Sequence, residues 1–263
     1  MIKQHLKLLR EFFRACLVEE FEYRANFAAN LLMTLFTLAM SILTVYLFFY
    51  RATSIGGWHL YEVLALLGIF NAMHGLIDFF LQPNMARLVS HIRQGTLDYV
   101  LLKPVDSQFH ISFRHLVFWR LADVALGFGL VGFSLAKLHR VPTVEELIVF
   151  AVIFASAVVI IYSMWMAMMT FSFWAVKVDN LSYLFISMFE TARYPVSVYT
   201  GILQIVVYYL FPVAFITTYP AGVLVGKLDW MEGIGALTTA IVLFVGSRRF
   251  WQFAVKRYTS ASS

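Results

Sequence analysis

This chain is poor in charge and nearly devoid of cysteine. Only 13% of its 263 residues are Asp, Glu, Lys or Arg, about half the share found in soluble globular domains. The single cysteine, Cys16, excludes an internal disulfide and a cysteine-based metal site. Six prolines leave long stretches free to stay helical. The net charge of +5 is modest, and its basic residues flank apolar runs instead of forming one stripe, which excludes a nucleic-acid partner. No HExxH or GxSxG occurs, and the seven histidines are scattered, without a helically spaced pair beside a carboxylate. The first two dozen residues are too charged for the apolar core of a secretory leader, so no cleavage is expected.

What is present is apolar surface: 61% of the residues are hydrophobic and 17% aromatic. A helix of about 20 apolar residues spans the roughly 30 Å of a bilayer's hydrocarbon. Backbone groups in lipid must pair internally, so only helices or closed barrels can cross. The runs here are continuous and not alternating, which selects helices. Spans are expected near 26–50, 60–81, 113–137, 146–175, within 182–215 and near 231–250. Pro83 is expected to stop the second span. The fifth region reads either as an interfacial helix over 182–193 followed by a crossing over 196–210, or as one kinked helix. The 211–229 stretch, broken by Pro212, Pro220, Gly222 and Gly226, is too interrupted to cross and reads as an external re-entrant hairpin.

Residues 2–24 carry Ile2, Leu6, Leu9, Phe13, Leu17 and Phe21 at steps of three or four, with Lys3, Lys7, Arg10 and Arg14 in the same period. A basic amphipathic helix next to a span belongs in the headgroup layer, lying on the membrane lipid. The expected fold is therefore all-α: one polytopic membrane domain over 1–263 with six transmembrane helices, an interfacial helix over 1–24 and the external hairpin. With a cytoplasmic N-terminus, nearly all lysines and arginines outside the spans fall on the inner side, leaving Arg51, Lys137, Arg140 and Lys227 outside. That bias places both termini in the cytoplasm.

Two motif fragments are set aside. Gly127-Phe128-Gly129-Leu130-Val131-Gly132 spells GxGxxG but follows no strand, and serves better as a surface for close helix approach. Gly222–Lys227 is one residue short of a phosphate loop. Ionisable residues inside spans are more telling. Asn71, His74 and Asp78 share one helical face, as do Arg120 and Asp123, so a cluster of His74, Asp78, Arg120 and Asp123 can form between the second and third spans. It reads as a gate or proton path, or as a structural ion pair. Glu190 and Arg193 are one turn apart beside Pro195, a hinge or simple interfacial solvation. In the cytoplasmic loop 82–112, Met85, Leu88, Val89 and Ile92 form one apolar helix face beside Arg87 and Arg93. That face needs a partner surface or the membrane.

Four segments carry a resemblance. They are Gly95-Thr96-Leu97-Asp98-Tyr99-Val100-Leu101-Leu102-Lys103-Pro104, Phe173-Trp174, Glu190-Thr191-Ala192-Arg193-Tyr194-Pro195 with Tyr199, and Phe211-Pro212-Val213-Ala214-Phe215-Ile216-Thr217-Thr218-Tyr219-Pro220-Ala221. In order and spacing the chain resembles ABC-2 type transporter permeases, in a group once described only as a domain of unknown function. The resemblance implies a non-enzymatic permease subunit of an exporter in the bacterial plasma (inner) membrane. It implies that Met85, Arg87, Leu88, Val89, Ile92, Arg93, Leu97 and Asp98 couple to a separate ATPase. ATP and Mg would be bound by that partner, with no cofactor in this chain. A second permease, identical or paralogous, would complete the path, with Glu190, Arg193, Pro195 and Tyr199 at a hinge or gate. An autonomous secondary transporter or channel is the competing class, and would show internal repeats and a more polar midplane.

Overall fold

The computed structural model describes residues 2–22, 24–174 and 179–258, and among these it is helical with no strand. Helix α1 (Ile2–Glu22) precedes α2 (Arg24–Phe49). In α1, Phe12 and Cys16 turn inward while Leu6 and Phe13 stay exposed beside Lys7, Arg10 and Arg14. The helix thus packs one edge of its apolar face on the protein and leaves the other exposed. A tight turn with Gly56 and Gly57 at positive φ leads from α2 to α3 (Leu60–Arg93).

Helix α3 differs from expectation. It runs 34 residues without a stop, about 50 Å at 1.5 Å per residue. Pro83 lacks the N–H that the Phe79 carbonyl would use. Two devices carry the helix past it. The turn Ile77–Leu81 widens to π geometry. The Phe79 carbonyl then accepts from Val117 N–H at 2.9 Å. Asn84 reinforces the splice: its amide nitrogen donates to the His115 carbonyl (2.7 Å) and its oxygen accepts from His115 N–H (3.0 Å).

Two short helices, α4 (Leu97–Leu101) and α5 (Ser107–Phe113), form the loop after α3, on the side that the charge bias assigns to the cytoplasm and that is called inner below. Helix α6 (Phe118–Lys137) returns along α3. The pair touches backbone to backbone: a methyl group on Gly68 would lie 2.6 Å from the Gly127 carbonyl oxygen, and one on Gly127 2.5 Å from that of Gly68. Of the GxGxxG fragment only Gly127 is needed for this approach, since Gly129 and Gly132 face open space. Helix α7 (Val144–Phe173) starts at a capping box, with Thr143 Oγ1 accepting from Glu146 N–H and Glu146 Oε2 from Thr143 N–H.

The chain then continues in short helical pieces. Helix α8 (Asp179–Glu190) is followed by single turns at Thr191–Arg193 and Val196–Val198. Helices α9 (Gly201–Leu210) and α10 (Ala214–Val225) bend by 69° at their junction. Ser197 Oγ donates to the Gly56 carbonyl (2.6 Å) and Lys227 Nζ to the Gly57 carbonyl (2.7 Å). Both ends of the bent pair therefore meet the same outer turn, so it enters and leaves on one side. This revises the expected boundaries: 196–210 does not cross, and the re-entrant pair begins at Gly201, not at 211.

Helix α11 (Met231–Lys256) closes the domain against α7. Its inner end is clamped to the loop. Arg248 pairs with the Asp106 carboxylate and donates to Gln108 Oε1 at 2.8 Å, and Trp251 Nε1 donates to Ser107 Oγ at 3.3 Å. Among the described residues, five helices, starting at Phe27, Leu60, Phe118, Val144 and Met231, are long and apolar enough to cross. The bent pair would add a sixth only as a single span, against which its two ends on the same turn argue.

Candidate functional site

Three places hold the candidate residues, and α3 passes through or beside all of them. At its inner end, Met85, Leu88, Val89 and Ile92 are buried in this chain's own core, together with Leu97. They pack on the elements around them and are not offered to a partner. This corrects the expectation of an outward apolar face. The cause is the loop itself: α4 and α5 fold back over the face that sequence periodicity left uncovered. What remains outward is Arg87, Arg93, Lys103 and two large apolar side chains, Tyr99 at 72% and Leu102 at 81% exposure. Asp98 is half-buried at the start of α4. Arg87 Nη1 donates to His115 Nε2 at 3.0 Å, which requires a neutral ring. Burial, followed by the charges of Arg87 and Arg114, holds the His115 pKa down to about 4.

Half-way along α3 the polar residues converge. Arg120 Nη2 lies 2.9 Å from Asp78 Oδ2, and its Nη1 lies 3.3 Å from Asp123 Oδ2. His74 Nδ1 lies 3.6 Å from Asp78 Oδ2, and Asn71 Nδ2 donates to the Asp123 carbonyl at 2.8 Å. The guanidinium also stands over the Trp119 ring at 4.0 Å. One cation shared by two buried carboxylates is the compensation that a low-dielectric site requires.

The third place is the broken segment after α8. Arg193 Nη2 bonds Glu190 Oε2 at 2.7 Å, and its guanidinium lies 5.2 Å from the Phe70 ring centre on α3. Pro195 starts the final turn, where side chains replace lost helix bonds. Thr217 Oγ1 donates to the Ala192 carbonyl (2.6 Å), Tyr199 Oη to the Thr191 carbonyl (2.7 Å), and Val196 N–H to Thr218 Oγ1 (3.1 Å). The re-entrant helix α10 thus holds the break in place.

Sequence reasoning treated the cluster and the break as separate. A single cavity of about 330 Å3 joins them, lined by Asn71, His74, Arg120, Asp123 and Arg193 and, on α2, by Asn30, Thr34, Thr37 and Ser41. Those four polar residues recur at steps of four, three and four, a stripe along an otherwise apolar helix. That was the available signal for the cavity, and it was not used. Glu20 was also missed: its carboxylate accepts from the N–H groups of Phe118 (2.7 Å) and Trp119 (2.8 Å), capping the start of α6. Among the described residues no group of three or more His, Cys, Asp or Glu has the arrangement of a metal site. The arrangement offers a polar-lined compartment beside α2, α3 and α6 and a basic loop surface with two exposed apolar anchors.

Comparisons with known proteins place this architecture. No curated protein and no solved structure matches the chain. A family model described as ABC-2 family transporter protein matches residues 35–262, so the chain belongs to that family and is a multi-pass membrane permease component of an ABC transporter.

Proposed function

We propose that this chain is the membrane half-path of an ATP-driven exporter, moved by a separate ATPase that docks on its inner loop. The observation that carries the reading is the continuity of α3. One helix of 34 residues joins the inner loop to the Asp78–Arg120 cluster and to the Phe70–Arg193 contact. A push on the loop therefore has a rigid route to the break at Glu190–Pro195 and to the re-entrant pair that braces it. Arg87, Arg93, Tyr99 and Leu102 are the residues presented to the ATPase, while Met85, Leu88, Val89, Ile92 and Leu97 keep the docking surface rigid from beneath. ATP and Mg belong to that partner. A second permease, identical or paralogous, faces α2. Both termini lie in the cytoplasm of a bacterial cell whose inner membrane holds the complex.

The test is extraction of tagged protein in mild detergent, with the bound proteins assayed for ATP hydrolysis. A stoichiometric ATPase that is lost from Tyr99→Asp/Leu102→Asp protein, while membrane insertion is kept, supports the reading. A homo-oligomer free of ATPase, even after crosslinking before extraction, overturns it in favour of an autonomous transporter or channel.

A further inference from the structure

A cavity of about 580 Å3 lies between α1 and the segment that leads into α6, sharing only Lys103 with the loop surface described above. Lys103, His110 and Arg114 line it, opposite Leu8, Glu11 and Phe12 of α1. Among the described residues, Lys103 and Arg114 make no ion pair with a carboxylate. Lys103 Nζ contacts His110 Nε2 at 3.1 Å, and the Arg114 guanidinium stands 5.2 Å from the Phe12 ring centre.

The Lys103 contact fixes the histidine tautomer. An ammonium can only donate, so Nε2 accepts and Nδ1 carries the ring proton. His110 is 8% exposed, and its buried Nδ1 has no hydrogen-bond partner. Such an orphan is unusual in a folded protein and calls for an explanation. The site thus holds two cations that form no ion pair, with the single carboxylate of Glu11 across the cavity, and one donor without an acceptor. An anion with several oxygens supplies what is missing.

The surroundings say where that anion comes from. The wall formed by Leu8 and Phe12 is apolar. On the outer side of α1, Leu6 and Phe13 are exposed beside Lys7, Arg10 and Arg14. A helix of that pattern sits at headgroup depth, where anionic lipids gather near basic residues. We propose that this cavity binds the phosphate headgroup of an anionic membrane lipid, with Lys103 and Arg114 as its cationic contacts and the acyl chains passing along the apolar side of α1. His110 is held neutral, because burial and then Lys103 and Arg114 hold its pKa down to about 4.

The test uses the full chain, purified in a neutral detergent and titrated with phosphatidylglycerol or phosphatidylcholine under native mass spectrometry. The expected result is about thirtyfold tighter binding of phosphatidylglycerol, from about 1 kcal/mol for each of the two basic contacts. Lys103→Gln/Arg114→Gln should abolish the preference. Lys7→Gln/Arg10→Gln, which removes equal charge from the exposed face, should keep it. Glu11→Gln should tighten binding, a gain that misfolding cannot imitate. Equal affinity for the two lipids overturns the proposal, as does a preference that survives Lys103→Gln/Arg114→Gln. So does a preference lost equally in Lys7→Gln/Arg10→Gln. Displacement of the lipid by millimolar inorganic phosphate assigns the cavity to a free anion and overturns the lipid reading.

Discussion

Helices α2 and α3 are neighbours of similar hydropathy, yet 72% of the apolar window of α3 is buried in this chain and only 17% of that of α2. Hydrophobicity put both in the membrane and did not decide what either touches, because lipid is as apolar as a leucine side chain. The difference lies in the minority residues. Helix α3 carries Gly68, Ala72 and Gly75, which let α6 approach, and Asp78, which Arg120 holds. Helix α2 has no glycine and shows Leu32, Met33, Phe36 and Leu47 outward. Its polar stripe meets a cavity instead of a helix.

The largest effect on this contrast should come from removing the shared cation. Arg120→Gln leaves Asp78 and Asp123 buried without compensation, at a cost of about 3–5 kcal/mol. In a reversible unfolding titration, adding Asp78→Asn should recover part of that loss. A coupling of at least about 0.5 kcal/mol is expected, and strict additivity would show that the pair contributes no joint stability. Next comes the glycine seam. Gly127→Leu must push α6 away from α3 and should cost about 1–3 kcal/mol. Gly129→Leu, two residues on and facing open space, should change stability by less than about 0.5 kcal/mol. Equal losses at both positions would remove the seam as the reason for the packing.

A smaller effect separates the membrane helices from the inner loop. His110 and His115 have pKa values of about 4 in the folded protein against an ordinary 6.5. The unfolded chain therefore takes up protons first. Stability should be full above pH 6.5, fall between 6.5 and 4, and level off below. Asp106 adds to the acid side: its carboxyl is held low, chiefly by its hydrogen bond to Arg248, against opposing burial. That contribution is present above the ordinary value of 3.8 and is lost as pH falls through the depressed one. Melting temperature against pH should show the decline, and His115→Gln should flatten it between 6.5 and 4. The smallest effect is expected on α2. Leu35→Ala, at a side chain turned outward, should leave the isolated chain within about 0.5 kcal/mol of wild type. A melt lowered by several degrees would mean that α2 is packed within the chain after all.

The sequence was most readable where a rule acts within one helix. Spacing alone grouped Asn71, His74 and Asp78 on one face, and Arg120 with Asp123, and the structure brings these residues together. Apolar length located most spans. It failed at Pro83, because the donor that replaces the missing N–H comes from Val117, far along the chain and invisible to local pattern. It failed for Met85, Leu88, Val89 and Ile92, because amphipathic spacing identifies an apolar face without naming its cover. It left the stretch around Pro195 open, where hydroxyls of Thr217 and Thr218 sustain a broken helix that composition alone would reject.

Glu20 gives the architecture a mechanical property. The last turn of α1 is tied by one carboxylate to the first peptide groups of α6, directly before Arg120. A tie of that kind transmits tension. The end of α1 and the start of α6 are thereby one corner, and neither can shift without the other at the backbone beside the buried ion pair.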